Sequence, residues 1–194
     1  MMRVHIKRRD LVLYGSLAAG LIAALIALGV FLPRWLSTPP EEGTVQETPA
    51  AEARKIRARL FYVAEDGVRL APVEQEVLYG EGALEQAKRI IEAQLGPARA
   101  PLASAIPAGT KLRTIFLTQG GTAYIDLSQE ISAEHPGGTT NEILTVYTLV
   151  NALTVNLPAI TGVQLLIDGR EIHSLAGHLD LRRPFGQDLQ WVMG

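Results

Sequence analysis

The 194-residue chain contains no cysteine. That excludes disulfide staples, thiol nucleophiles and lipid attachment through an N-terminal cysteine, so stability must come from a packed core. Basic charge is scarce after residue 35. The chain holds 18 Lys and Arg against 20 Asp and Glu. Five of the basic residues and one acid lie in 1–35, which leaves 13 against 19 and a net charge of −6 beyond it. So acidic a portion argues against nucleic acid and against dependence on anionic lipid heads, because both attract clustered Lys and Arg. No Gly-x-Ser-x-Gly elbow marks a serine as nucleophile. The apolar N-terminal run continues into Pro33-Arg34-Trp35-Leu36, with no Ala-x-Ala triplet at its edge as a cleaved secretory signal would require.

The run itself is the most informative feature present. Residues 11–33 carry no charge and follow Arg3, Lys7, Arg8 and Arg9. As a helix they would span about 34 Å, enough for a hydrocarbon core of about 30 Å. The basic cluster predicts a cytoplasmic tail at 1–10, a transmembrane helix at 11–33 and export of the rest of the chain, with Trp35 suited to the interface. A signal h-region is usually about 7 to 15 residues, so a retained anchor is favoured over a cleaved signal. Ser16, Gly20 and Ala24 have small-xxx-small spacing, which fits helix pairing. Glycine and alanine are common in membrane helices in any case. Residues 34–55 are rich in proline, glutamate and small residues, which predicts a flexible spacer. Residues 56–194 remain as one domain of ordinary size.

Within that domain the pattern alternates between periods. Arg57 to Val63 is rich in β-formers and ends at the turn signal Glu65-Asp66-Gly67. A second strand is predicted from Val68 to Val77, with Pro72 marking it as an edge or interrupted strand. Leu84, Ala87, Ile91 and Leu95 follow helical spacing up to Gly96-Pro97. Lys111 to Leu117 and Thr122 to Leu127 predict a hairpin across Gly120-Gly121. Thr139 and Glu142 are spaced as a capping box before an apolar stripe of Ile143, Val146, Val150, Leu153 and Leu157, which Pro158 ends. Val163 to Ile167 predicts a strand that turns at Asp168-Gly169 into Glu171 to Leu175. The order ββαββαββ predicts an α+β fold with two helices packed on one side of a mixed or antiparallel sheet.

Candidate chemistry concentrates near the C-terminus. His173, His178 and Asp180, with His135, could be considered for a metal, but a five-residue histidine spacing across a strand-to-loop junction is not a metal-binding spacing. His173 then reads as an exposed strand residue and His178 as a loop-ordering one. Ser174, His178 and Asp126 could form a hydrolytic triad on paper. Glu130, Glu134 and Glu142 surround the loop His135-Pro136-Gly137-Gly138 and could line a groove for sugar cleavage, which needs two acids, one with a raised pKa. An acidic loop and a helix N-terminus account for the same residues. Asp126 reads as a turn acid holding the loop next to it in the chain, Asp168-Gly169 as a hairpin turn, and Gly137-Gly138 as a tight turn rather than a phosphate cradle. No catalytic, cofactor-binding or metal residue is assigned.

A dispersed set of residues resembles the GerMN domain family of sporulation and germination proteins. It comprises Leu60-Phe61-Tyr62 with Asp66-Gly67, Gln94 to Pro97, Ile106 to Leu112, Ala123 to Ser128, Glu142 to Leu153, Val163 to Gly169, Gly177 to Asp180 and Arg183-Pro184-Phe185. The resemblance implies a ring-building or ferredoxin-like α+β fold and a non-catalytic module of the bacterial cell envelope. Relatives of this kind support assembly of a secretion channel or are fused to peptidoglycan amidases. This chain differs in having one copy of the domain and a membrane helix in place of a lipidated cysteine. The expected role is therefore contact with envelope proteins or peptidoglycan, through a sheet edge or the loop before the second helix, without a cofactor. A homo-oligomeric ring and a wall-active hydrolase are the competing expectations.

Overall fold

The computed structural model describes residues 54–194. The basic tail 1–10, the candidate membrane helix 11–33 and nearly all of the spacer 34–55 lie outside the described residues. Among the described residues no helix is long and apolar enough to cross a membrane.

The elements are β1 (Lys55–Val63), β2 (Leu70–Leu78), α1 (Gly82–Gln94), β3 (Leu112–Leu117), β4 (Thr122–Leu127), α2 (Glu130–Ala133), α3 (Thr139–Asn156), β5 (Gly162–Ile167) and β6 (Arg170–Glu171). The fold is mixed α+β, as expected, but its strands form two sheets rather than one. β1 and β2 pair antiparallel by themselves, and a second sheet runs β3-β4-β5-β6 with β4 and β5 parallel. Period-2 alternation identifies strands without saying which of them pair. α1 touches β1, β2 and β3, while α3 touches β1, β5 and α1, so the helices join the sheets instead of covering one face of a single sheet.

One apolar core runs through the domain. Leu60 of β1, Ile90 and Ile91 of α1, Ile125 and Leu127 of β4, Leu149 and Leu153 of α3, and Leu165 of β5 are all essentially buried. At about 1.5–3 kcal/mol for each fully buried large side chain, this cluster is the main favourable term. α3 is buried nearly all round, including Thr145, Thr148, Asn151 and Thr154. Its predicted apolar stripe is therefore one part of a central helix.

Local departures have local causes. β2 begins two residues later than its β-formers suggest because Asp66 Oδ1 accepts the N–H groups of Val68 (3.0 Å) and Arg69 (3.1 Å), closing a turn. The capping box does not form. Gly138, at φ 89°, precedes α3 with no side-chain cap, and the Glu142 carboxylate is engaged elsewhere. β6 keeps only two residues. The turn before it places Asp168 at φ 49° and Gly169 at φ 75°, as a two-residue hairpin of the primed type requires. The tail beyond Gly177 is irregular yet anchored: Phe185 pairs with Val163 and Val192 with Leu70.

Candidate functional site

The polar residues singled out by sequence fall into three separate clusters. The first joins the glycine loop before α3, the first turn of α3 and the loop after β6. Glu142 is fully buried on α3. Its carboxylate accepts the backbone N–H groups of His178 (2.9 Å) and Leu179 (3.2 Å) and bonds His178 Nδ1 (2.8 Å). Burial by itself would raise its pKa. The bonds from the His178 side chain and from the backbone of this loop outweigh that and hold it below the usual carboxylate range. Because the carboxylate accepts at Nδ1, Nδ1 carries a hydrogen and Nε2 points away from the pair.

His135 sits beside this pair with its ring held at both ends. Its Nδ1 accepts the Gly137 N–H (3.0 Å), so Nε2 must carry the hydrogen that faces Thr145 Oγ1 (3.1 Å). Thr145 in turn donates toward the carbonyls of Ala105 (2.7 Å) or Asn141 (2.8 Å). Burial pushes the His135 pKa below its ordinary value, opposed by the nearby Glu142 charge and assisted by His178. The Gly137 N–H is already used, so the glycine loop presents no free anion cradle built on it.

The second cluster centres on Asp126, which is nearly buried. It accepts from Arg113 Nε (3.1 Å) and from the Gly169 N–H (2.8 Å), while Arg113 also reaches Asp168 (3.1 Å). Asp126 is a turn acid, but the turn it holds is the one between β5 and β6 rather than the loop next to it in the chain. The third is Asp180, forked onto Arg182 Nε (2.9 Å) and Nη2 (2.7 Å), which together with the Arg182 backbone N–H hold its carboxyl far below the usual range.

These placements do not assemble the sequence-level catalytic options. Ser174 Oγ accepts the Gly177 N–H (2.7 Å), His178 is bound to Glu142, and Asp126 is bound to Arg113 and Gly169, so the paper triad is not formed. The acidic trio is likewise divided. Glu134 is exposed, Glu142 is sealed against the loop, and Glu130 is held below the usual range by the Ser128 hydroxyl, its own amide and Lys111. Neither Glu130 nor Glu142 has the raised pKa that a general acid for sugar cleavage needs. His173 is exposed. Among the described residues no three His, Cys, Asp or Glu side chains converge on a metal position.

Sequence reasoning missed a set of side-chain amides, of which Gln86, Gln94 and Asn151 are buried and Asn156 is half-buried. Gln94 accepts the Phe61 N–H (2.8 Å) and donates to the Phe61 carbonyl (2.8 Å). Asn156 does the same for Arg59 (2.8 Å each), and Asn151 for Asp188 (3.1 and 2.8 Å). Gln86 binds the Gly80 N–H (2.9 Å) and the Leu78 carbonyl (3.2 Å). Gln94 and Asn156 each act as one residue of an absent strand beside β1, while Asn151 holds loop backbone and Gln86 the backbone at the end of β2 in the same way. A signal was available: Gln86, Ile90 and Gln94 repeat every four residues, on the same buried face as Ala87 and Ile91. Leu84, expected on that face, is exposed instead.

Comparison with known proteins agrees with this architecture. Solved structures similar to the chain include that of a candidate lipoprotein from Clostridium perfringens. It is 27% identical with a TM-score of 0.50, over 68% of this chain and 87% of that one. The first GerMN domain of the sporulation protein GerM from Bacillus subtilis is 22% identical with a TM-score of 0.51, over 69% of this chain and 96% of that domain. No curated protein gives a significant match. The model of the Germane family, described as sporulation and spore germination, matches residues 59–173. With more than half of its length matched and the GerMN fold in place, the chain belongs to the Germane family of sporulation and spore germination domains.

Proposed function

We propose that this protein is a membrane-tethered, non-catalytic contact module of the bacterial cell envelope. Residues 1–10 stay in the cytoplasm, 11–33 cross the membrane, 34–55 act as spacer, and the domain from residue 56 meets envelope proteins or peptidoglycan outside. Membership of a sporulation and germination family supports this reading. So does the likeness to a candidate lipoprotein, a class held at a membrane surface. The observation that carries it is the use of Glu142. This fully buried carboxylate ties a loop to a helix through three hydrogen bonds and is not aimed into an open cleft. Asp126 and Asp180 are likewise bound to arginines.

Three measurements test the reading. An alkaline phosphatase fusion at residue 56 should be active, because the reporter needs disulfides that form only outside the cytoplasm, and an inactive fusion would reject the topology. The purified protein should release no muropeptide from isolated walls. Release abolished by Glu142→Gln would establish a hydrolase instead, and light scattering on the same sample would report a ring.

A further inference from the structure

We infer that the outer edge of β2 between Glu74 and Glu76 is a docking strand for an extended peptide segment of a protein partner bearing a carboxylate side chain. The inference deepens the contact-module reading and rests on it.

The argument starts from which backbone groups remain unused. Arg59, Phe61 and Val63 turn their N–H and C=O groups away from β2, toward Asn156, Gln94 and Ala103 respectively. In an antiparallel ladder the residues opposite them must therefore point their own groups outward as well. Those residues are Glu74, Pro72 and Leu70, and the same parity brings in Glu76 and Leu78. Along this outward row, Leu70 is taken by the tail, through Trp191 O (2.7 Å) and Met193 N (2.8 Å). Pro72 has no N–H. The Leu78 carbonyl is taken by Gln86 (3.2 Å). Glu74 and Glu76 are left, each with an N–H and a C=O facing out. On β1 the edge is closed at Arg59, Phe61 and Val63 and, by the same parity, left open at Arg57, whereas on β2 the open stretch runs from Glu74 to Glu76.

That open stretch borders a groove of about 610 Å3 between β2 and the loop 97–102. Val73, Pro101 and Leu102 give it apolar walls, and Tyr62 and Arg99 give it donors. Tyr62 is 3% exposed and lines this groove, and among the described residues its hydroxyl makes no hydrogen bond. Arg99 makes no ion pair among the described residues and lies close enough to Tyr62 to act on its charge. A phenol O–H beside a guanidinium is a donor set for a carboxylate. The side chains of Glu74 and Glu76 engage Arg57 (4.0 Å) and Lys55 (3.1 Å) across the sheet, which offsets their repulsion of an acidic ligand. Open edge backbone with a side-chain pocket alongside is the arrangement by which strand addition gains affinity and selectivity.

The test uses the full-length chain and a defined probe, acetyl-Thr-Val-Thr-Glu-Thr-Val-Thr-amide, with a second probe carrying Gln at the centre. The glutamate probe should bind with a Kd of about 1 mM or tighter and slow hydrogen exchange at the Glu74 and Glu76 amides. The glutamine probe should bind about tenfold more weakly. Tyr62→Phe and Arg99→Gln should bring the glutamate probe down to the level of the glutamine probe. Glu74→Pro, which uses the same outward geometry as Pro72, should abolish binding of both probes with an unchanged melting temperature. No binding, binding without protection at Glu74 and Glu76, or full affinity in Glu74→Pro would overturn the inference. Crosslinking of the full-length protein in its own membranes separates this failure from that of the module reading. Partner capture that persists in Glu74→Pro while the probes do not bind rejects this edge and leaves the envelope contact intact.

Discussion

Replacing Glu142 by Gln keeps the shape of the side chain and removes its charge. The carboxylate accepts three bonds, from the His178 N–H, the Leu179 N–H and the His178 ring, in a fully buried position. A glutamine offers one oxygen and one NH2, so at least one of these donors would face another donor. Hydrogen bonds to a charged group contribute about 1.5–3 kcal/mol each, and a buried donor left unmatched costs about 1–3 kcal/mol. Because the loop can relax by turning His178 outward, a net loss of about 3 kcal/mol is expected. In a domain of this size that lowers the melting temperature by about 6–12 °C. Amide exchange should accelerate at His178 and Leu179 while the β1–β2 amides keep their protection relative to global stability. His178→Ala removes only one of the three bonds and should cost about a third as much. A Glu142→Gln protein that melts within about 1 °C of wild type, with unchanged exchange at residues 178 and 179, would refute this account of Glu142.

Other consequences are equally direct. Gln94→Leu should destabilise the domain by about 2–4 kcal/mol, because it strips both partners from the Phe61 backbone, and chemical denaturation would measure it. Gly121→Ala should cost about 2 kcal/mol or more, since φ there is 82° and the new Cβ would lie 2.7 Å from the Ala159 carbonyl. The depressed pKa of His135 gives stability that is complete above its ordinary value of 6.5 and falls as pH drops below it, because protonation removes the acceptor for Gly137. Melting curves between pH 5 and 8 should show that decline, and His135→Asn should flatten it. Glu142, also lowered, should add a further loss only as pH falls below its ordinary value of 4.5.

Much of the fold is legible in the residues because its signals are local. The hairpin at Gly120-Gly121, the turn at Asp168-Gly169 and the stop at Gly96-Pro97 each lie where backbone chemistry demands. The candidate site was only partly legible. Asp126 is readable as a turn acid, but its true target is Gly169, 43 residues on. Glu142 satisfies the spacing rule for a cap, yet its side chain turns inward to a loop 36 residues away. A short-range rule sees a carboxylate at the start of a helix and has no knowledge of donors brought there by chain folding.

Sequence alone decided the types of the longer elements, though not the short helix Glu130–Ala133 or the length of β6, together with the absence of thiol chemistry and the identity of the family, because composition, periodicity and motif order are read along the chain. Tertiary structure decided that the strands separate into two sheets, that Gln94 and Asn156 stand in for a strand at the edge of β1, and that Glu74 and Glu76 are left open on β2. Those outcomes depend on which hydrogen-bonding groups meet across long stretches of chain. A backbone N–H or C=O is identical at every residue, so nothing in its own position records which partner it will find.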